Sequence, residues 1–231
     1  TSAPGLSWFN NYIKDGPLYV VYNPNDPKIS PQTGLPIERY QFHFPSNQFM
    51  DKDDRSVNLV DLLNGPMAEL KQYFKPEFAK GLTAGSGKDL KIDGFGSGSV
   101  GKFVGLYGLE ELFNSLPDSL EQIKIKNKDN AGTIINIPPS ITRFKNLKHL
   151  VLVNCINNVP DYICQLNKLN ILGVMDNPKL TSLPEWQHLT KLQNIYCNNN
   201  QLTSLPKWQH LINLQKIDII CLLNKFIIIV N

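Results

Sequence analysis

The chain has 231 residues, of which 42% are hydrophobic and 19% charged, a composition typical of a globular protein of one or two domains. Its formal net charge at pH 7 is only +3, and no long block of like charges occurs, which argues against a nucleic-acid-binding arm or a polybasic membrane patch. The most apolar segment, residues 217–230, is too short and too polar to span a bilayer.

The first part of the chain predicts a mixture of strands and helices. Residues 17–22 and 37–44 are rich in β-branched and aromatic residues and are separated by a connection that contains Pro, Asn, Asp and Gly, which predicts a hairpin. Residues 57–63 and 67–78 predict two short helices that are broken at a Gly-Pro pair. We therefore predict a small α+β domain over residues 1–80.

One part of this domain carries a resemblance of its own. Residues 16–22 followed by residues 40–51 resemble a segment found in some phage-encoded proteins of unassigned role. That likeness implies no catalytic residue. Alternation along the second predicted strand places His43 on the face opposite Phe42. We expect His43 to be a surface or half-buried residue, because no second His or Cys lies nearby in the sequence.

A glycine-rich stretch follows. Residues 96–101 match GxGxxG and residues 96–102 match GxxxxGK, the patterns of loops that bind nucleotide phosphates. Phe103 stands where magnesium binding needs a Ser or Thr hydroxyl, and no alternating strands and helices follow to build the required sheet. Nucleotide binding is therefore a less favoured alternative. Residues 90–92 align instead with residues 123–125, which predicts a first repeat lengthened by a glycine-rich turn.

The rest of the chain repeats one short phrase. Two nearly identical nonapeptides, residues 181–189 and 203–211, lie in the same register between hexapeptides of the type LxxLxL. A fixed period of 22 or 23 residues predicts a solenoid, in which each unit buries its apolar side against its neighbours. The hexapeptides begin at Leu147, Leu169, Leu192 and Leu214.

This pattern resembles the leucine-rich repeat family over roughly residues 90–231. The resemblance implies a parallel sheet along a concave face, leucines that point into the core, and asparagines that hydrogen-bond to neighbouring turns. Asn177 and Asn200 occupy the asparagine position, and Cys155 replaces it once. The predicted fold class is an α/β solenoid over residues 81–231, preceded by the α+β domain.

The cysteines and the repeated aromatic residues fit structural roles. The four cysteines lie in the repeats without a close CxxC pair, so we predict buried, reduced thiols. The expected location is a reducing compartment, either the cytoplasm or a viral particle or infected host cell. Trp186 and Trp208 recur at one site and are predicted to stack. His188 and His210 also recur, but no Cys or acid recurs beside them, and we predict neither a metal nor a cofactor.

Alternate residues of each repeat strand are expected to face solvent and to contact a partner. The centre of this surface is apolar and its ends are polar, which is the anatomy of a protein contact. It lacks the run of Arg and Lys that phosphate backbones require. The predicted contact residues are Lys124, His149, Val151, Val153, Ile171, Met175, Asn194, Tyr196, Asn198, Lys216 and Asp218.

The sequence therefore predicts a non-enzymatic protein-interaction module, since no nucleophile, base and orienting group can be assembled from it. The expected partners are proteins on the concave face, on the C-terminal edge, or on both. The edge is included because residues 219–230 are apolar where terminal repeats are normally polar. The alternative is a structural subunit of a larger assembly, for which the phage-like segment suggests a virion. No nucleic-acid or membrane partner is expected.

Overall fold

The computed structural model describes residues 14–25, 28–32, 34, 36–83, 88–94, 98–128, 133–221 and 224–229. The chain divides into two compact units, Thr1–Phe78 and Ala79–Asn231. Each unit has its own sheet and its own buried apolar side chains.

The N-terminal unit contains a three-stranded antiparallel sheet and short helices. Asn58 caps the first helix, because its side chain accepts hydrogen bonds from the backbone N–H groups of Val60 and Asp61. Both predicted strands are present, and the structure adds a third short strand. The elements are β1 (Leu18–Tyr22), β2 (Arg39–His43), β3 (Gln48–Met50), α1 (Leu59–Asn64), a 3₁₀ turn (Ala68–Leu70) and α2 (Lys71–Thr83), which continues past the division between the units.

Aromatic side chains form the core of this unit. Phe42 is fully buried and makes edge-to-face contacts with Phe49 and Phe74, at centroid distances of 5.9 and 5.6 Å. His43 is only 1% exposed, and its Nδ1 lies 2.6 Å from Ser46 Oγ. The expectation of a surface or half-buried His43 is wrong, because β2 is the central strand and the turn after it supplies a polar partner for the buried ring.

The C-terminal unit is built on six parallel strands within the described residues. The strands begin at intervals of 33, 27, 22, 23 and 22 residues, so the sequence period is also the strand period. The first strand pairs with the second in the register Leu90 to Ile123 and Ile92 to Ile125, which confirms that the repeats begin before the glycine-rich stretch. The strands are β4 (Asp89–Asp93), β5 (Gln122–Lys126), β6 (His149–Val153), β7 (Ile171–Met175), β8 (Asn194–Tyr196) and β9 (Lys216–Cys221).

The second and fourth positions of the strands supply the core of the solenoid. Leu150, Leu152 and Leu172 are completely buried there, and each faces equivalent residues of the neighbouring repeats. The chain returns through α3 (Gly98–Ser115) after β4 and through 3₁₀ turns at Pro139–Arg143 and Asp161–Gln165 after β5 and β6. Burial of one apolar face against the next repeat is what holds such a stack together.

A ladder of asparagine side chains joins the turns that follow the strands. Asn177 is completely buried, and its Oδ1 accepts from the backbone N–H groups of Cys155 at 2.9 Å and Ile156 at 3.0 Å. Its Nδ2 donates to the carbonyl oxygens of Leu152 and Met175. The backbone N–H of Asn177 in turn donates to Oδ1 of Asn200 at 3.0 Å. The predicted asparagine role is confirmed, and each rung satisfies backbone groups of an adjacent repeat.

The last described strand reverses direction. β10 (Asn224–Ile229) pairs antiparallel with β9, from Asn224 opposite Cys221 to Ile229 opposite Lys216. β10 lies within the apolar residues 219–230 and supplies the backbone hydrogen-bond partners of β9. The outermost described strand of the sheet on this side is β10.

Replacing Asn177 with Ala should lower the free energy of unfolding by about 3 kcal/mol, because it leaves buried backbone donors and acceptors of two repeats unpaired. Urea denaturation measures the change. The matched control is Asn167→Ala, an exposed asparagine whose loss should change the same quantity by less than about 0.5 kcal/mol. Equal destabilisation by both variants would contradict the ladder.

Candidate functional site

The parallel register arranges the predicted contact residues in columns across the sheet. The first, third and fifth strand positions form what we call the open face, the predicted concave face. Its first column contains Asp89, Gln122, His149, Ile171, Asn194 and Lys216; its third column contains Lys91, Lys124, Val151, Gly173, Tyr196 and Asp218; its fifth column contains Asp93, Lys126, Val153 and Met175. Asn198 follows the end of β8 by two residues.

Most of these side chains remain accessible. Lys124 is exposed. Val153 differs from the others, because it is only 7% exposed and offers a partner little area. It lies in register between Lys126 and Met175, whose longer side chains flank it. The half-buried members are His149, Val151, Ile171, Met175, Asn194, Tyr196, Asn198, Lys216 and Asp218.

The centre of the open face is apolar and half-buried. Gly173 lies there in register between Val151 of β6 and Tyr196 of β8. A Cβ atom added to this glycine would lie 3.3 Å from Val151 Cγ1 and 3.4 Å from Met175 Cε. Gly173 is buried, and these two side chains fill the space above it, so the centre of the open face is an apolar patch of Val151, Met175 and Tyr196.

Charged groups border this centre on both sides. On the C-terminal side, Nζ of Lys216 lies 5.3 Å from the ring centroid of Tyr196 and 3.8 Å from Oδ2 of Asp218. On the N-terminal side, exposed Lys91 and Lys124 are neighbours in register. An apolar centre with a polar border is the arrangement of a protein contact surface.

One amide oxygen near the open face makes no hydrogen bond within the chain. Oδ1 of Asn198 is buried and has no hydrogen-bond partner. A buried acceptor without a donor costs about 1–3 kcal/mol.

Sequence reasoning missed a second surface beside the open face, at the amino ends of the strands. Lys148, Lys168 and Lys191, here called the lysine rim, line a pocket of about 350 Å³. Lys168 and Lys191 each precede their strand by three residues, and Lys148 precedes β6 by one. The sequence does contain a polar residue at a repeated position before each strand. The leucine-rich repeat pattern, however, assigns no role to that position.

The repeated aromatic and histidine residues lie on the return segments. The rings of Trp186 and Trp208 stack at a centroid distance of 5.7 Å and an interplanar angle of 12°, which confirms the predicted stack. His188 and His210 are both exposed. Among the residues that the structure describes, no group of three His, Cys, Asp or Glu side chains could hold a metal ion.

The described cysteines are free thiols. Cys155 and Cys197 are buried, as predicted, whereas Cys164 is half-buried. Burial raises the pKa of Cys155 to about 12, because the thiolate would lose its hydration in the core. This thiol is therefore a packing group at neutral pH.

The glycine-rich stretch is described only in part. Gly96, the first residue of both phosphate-loop patterns, lies outside the described residues. Gly98 begins α3 with a φ of +62°, and Lys102 lies one turn further on. Burial lowers the pKa of Lys102. The strand before this stretch, β4, is the first strand of the repeat sheet.

The period of the strands, the buried leucine positions and the asparagine ladder decide the fold of the C-terminal unit. It is a leucine-rich-repeat solenoid. No protein-family model and no curated protein matches the chain. In the described part of the chain, no helix is both long enough and apolar enough to cross a membrane.

Three solved structures are similar to parts of the chain. A leucine-rich-repeat protein of Leptospira interrogans is 27% identical over 45% of this chain and 29% of its own, with a TM-score of 0.38. The leucine-rich-repeat domain of the type III effector XopL is 19% identical over 64% and 57%, with a TM-score of 0.42. An internalin of Listeria monocytogenes is 18% identical over 59% and 48%, with a TM-score of 0.37. The chain thus spans less than two thirds of the length of each.

Gly173→Ala should change the free energy of unfolding by less than about 1 kcal/mol. The added methyl group meets only the tips of Val151 and Met175, which are half-buried and free to shift by a few tenths of an ångström, and the loss of glycine reduces the entropy of the unfolded chain. Thermal and urea denaturation check this expectation. A destabilisation above about 2 kcal/mol would show that Val151 and Met175 cannot shift to admit the methyl group.

Proposed function

We propose that this chain is a non-enzymatic protein-interaction module whose open face binds a protein partner. The observation that carries the proposal is the apolar centre of the open face, formed by the half-buried side chains of Val151, Met175 and Tyr196, which has charged groups on both sides. Apolar groups concentrated at the centre of a face, with polar groups at its border, are typical of contact surfaces.

Tyr196 is the expected anchor of the contact. Its ring is half-buried beside Gly173 in the third column of the open face, and Lys216 lies close to its face. Aromatic residues held in place before binding lose little conformational entropy and dominate binding energies at the centre of contacts. Met175 adds an adaptable side chain that can fit differently shaped groups.

Partner capture tests the proposal. Proteins captured by the intact chain are identified, and the dissociation constant of a captured partner is then measured. Tyr196→Ala and Met175→Ala should each weaken this binding by about tenfold or more, because anchors at the centre of a contact contribute on the order of 2 kcal/mol. Both variants should keep the thermal unfolding temperature close to that of the unchanged chain.

Matched controls come from exposed residues that do not belong to the strands of the open face. Tyr73 is 68% exposed in α2, and Ile212 is 79% exposed in the turn before β9. Tyr73→Ala and Ile212→Ala remove similar side chains and should leave the dissociation constant unchanged. If the variants of the open face bind as well as these controls do, the assignment of the open face is rejected.

A structural subunit of a larger assembly is the second candidate. The observation that favours it is β10, whose sequence ends in Phe226, Ile227, Ile228 and Ile229. Within the described residues, this strand pairs with β9 on one side and with no strand on its other side. Apolar strands at the edge of a sheet readily pair with other chains.

Size-exclusion chromatography with light scattering separates the two candidates. An interaction module should elute as a monomer of 26.1 kDa at all concentrations tested. A structural subunit should form larger species as concentration rises, and Ile228→Lys should reduce them because a charge on the strand opposes edge pairing. A stable monomer would contradict the second candidate.

A further inference from the structure

We infer that the open face binds an extended protein segment that crosses the strands, with a carboxylate on the lysines of β5 and apolar side chains on the apolar centre. The inference rests on the proposed function and specifies the chemistry of the partner. The β5 lysines are Lys124 and Lys126, the third and fifth residues of that strand, and the apolar centre consists of Val151, Met175 and Tyr196.

The chemistry of the open face changes from one strand to the next rather than along each strand. In its first, third and fifth positions, β5 carries an amide and two ammonium groups, whereas β6 carries an imidazole and two valine side chains. Lys124 lies in register with Val151, and Lys126 lies in register with Val153. A partner that contacts both the lysines and the apolar centre must therefore cross the strands.

The charge of the β5 lysines is not neutralised within the described residues. Lys124 is exposed and Lys126 is half-buried, and neither forms an ion pair with a described acid. Asp93 lies in register with Lys126, but its Oδ2 lies 3.5 Å from Nζ of Lys128. Two ammonium groups on the same face of one strand repel each other, so a carboxylate supplied by a partner would be attracted to both.

The neighbouring strand β4 carries a lysine whose charge is better balanced. Lys91 is exposed and lies in register with Lys124. Asp89 and Asp93 stand two residues before and after it, on the same face of the strand. The positive charge beside the apolar centre therefore comes mainly from the β5 lysines.

The apolar centre is a surface on which side chains can lie, not a cavity that they can enter. Val151 and Met175 fill the space above the buried Gly173, where an added Cβ atom would lie 3.3 and 3.4 Å from their side-chain atoms. Tyr196 follows in register on the next strand. These side chains are half-buried, so a partner that covers them removes further apolar area from water.

The spacing of the strands selects the spacing of the partner residues. Val151 is one strand from Lys124, about 5 Å, and Tyr196 is three strands away, about 14 Å. In an extended segment, residues two positions apart point to the same side and lie about 7 Å apart. A carboxylate over Lys124 therefore has a side chain two positions away over Val151 and Met175, and another four positions away at Tyr196.

The same features disfavour a nucleic acid. The β5 lysines have carboxylates of β4 on one side and the apolar centre on the other, rather than a line of further cations. Phosphate backbones are bound by continuous basic surfaces. An acidic residue that alternates with apolar residues matches both the lysines and the centre.

Parallel selections from a displayed library of random 12-residue peptides test the inference. The targets are the full chain, Lys124→Gln combined with Lys126→Gln, and a control, Lys179→Gln combined with Lys207→Gln, which removes two exposed lysines outside the strands. We expect the full chain and the control to enrich Asp or Glu with large apolar residues two and four positions away. The variant of the β5 lysines should enrich the apolar residues without the acid.

Fluorescence anisotropy then measures whether the acid contacts the lysines directly. Loss of the β5 lysines should weaken an enriched peptide by roughly three- to tenfold, given the usual strength of exposed ion pairs. Replacing the acid of the peptide with its amide should weaken binding to the full chain similarly, but binding to the lysine variant by less than about twofold, because the paired charge is already gone. Moving the acid by one position should also weaken binding, because its side chain then points away from the sheet.

Each outcome decides the inference. If the enriched peptides depend on Tyr196 but carry no acid at these positions, or if the lysine variant binds them like its control, the inference is overturned while the proposed function stands. If acidic peptides bind Tyr196→Ala as tightly as the unchanged chain, or if no peptide is enriched, the inference is overturned and partner capture alone decides the proposed function. If a labelled single-stranded RNA binds more tightly than the peptides and loses affinity in the lysine variant, the β5 lysines form a nucleic-acid site and the inference is overturned.

Discussion

The asparagine ladder is the constraint on which the rest of the solenoid depends. A chain that turns sharply after each strand leaves backbone N–H and C=O groups pointing into a core that contains no water. Asn177 and Asn200 satisfy those groups across neighbouring repeats. Because one side chain reaches the backbone of the adjacent turn, the spacing between repeats is fixed. The fixed spacing in turn aligns the strands and brings the columns of the open face into register.

This alignment separates stability from recognition along each strand. The second and fourth positions are buried and must remain apolar, whereas most side chains at the first, third and fifth positions are exposed or half-buried. Val153 and Gly173 are the buried exceptions, and Val151 and Met175 cover Gly173. The lysine rim arises from the residues just before the strands. Two adjoining surfaces of different chemistry thus result from the same repeat.

The sequence predicts those parts of the structure that repetition determines. The strands of the regular repeats and the stacked tryptophans follow from the period, and the resemblance to leucine-rich repeats implies the ladder. The short strand β3 could not be predicted, because three residues are too few to show alternation of polar and apolar side chains. This strand forms by pairing with β2. The reversal of β10 and the burial of His43 also depend on which neighbour covers a strand. For the open face, alternation predicts which residues line up, but the exposure of Val153 depends on the lengths of the side chains beside it.

The stacked indole rings of Trp186 and Trp208 give the solenoid an optical signal of its own. Two aromatic chromophores held nearly parallel at 5.7 Å interact electronically, and the interaction depends on the distance between adjacent repeats. Near-ultraviolet circular dichroism of this pair therefore reports the spacing of two repeats rather than the folding of the whole chain. A loosening of the stack that left every strand intact would still be visible in that band.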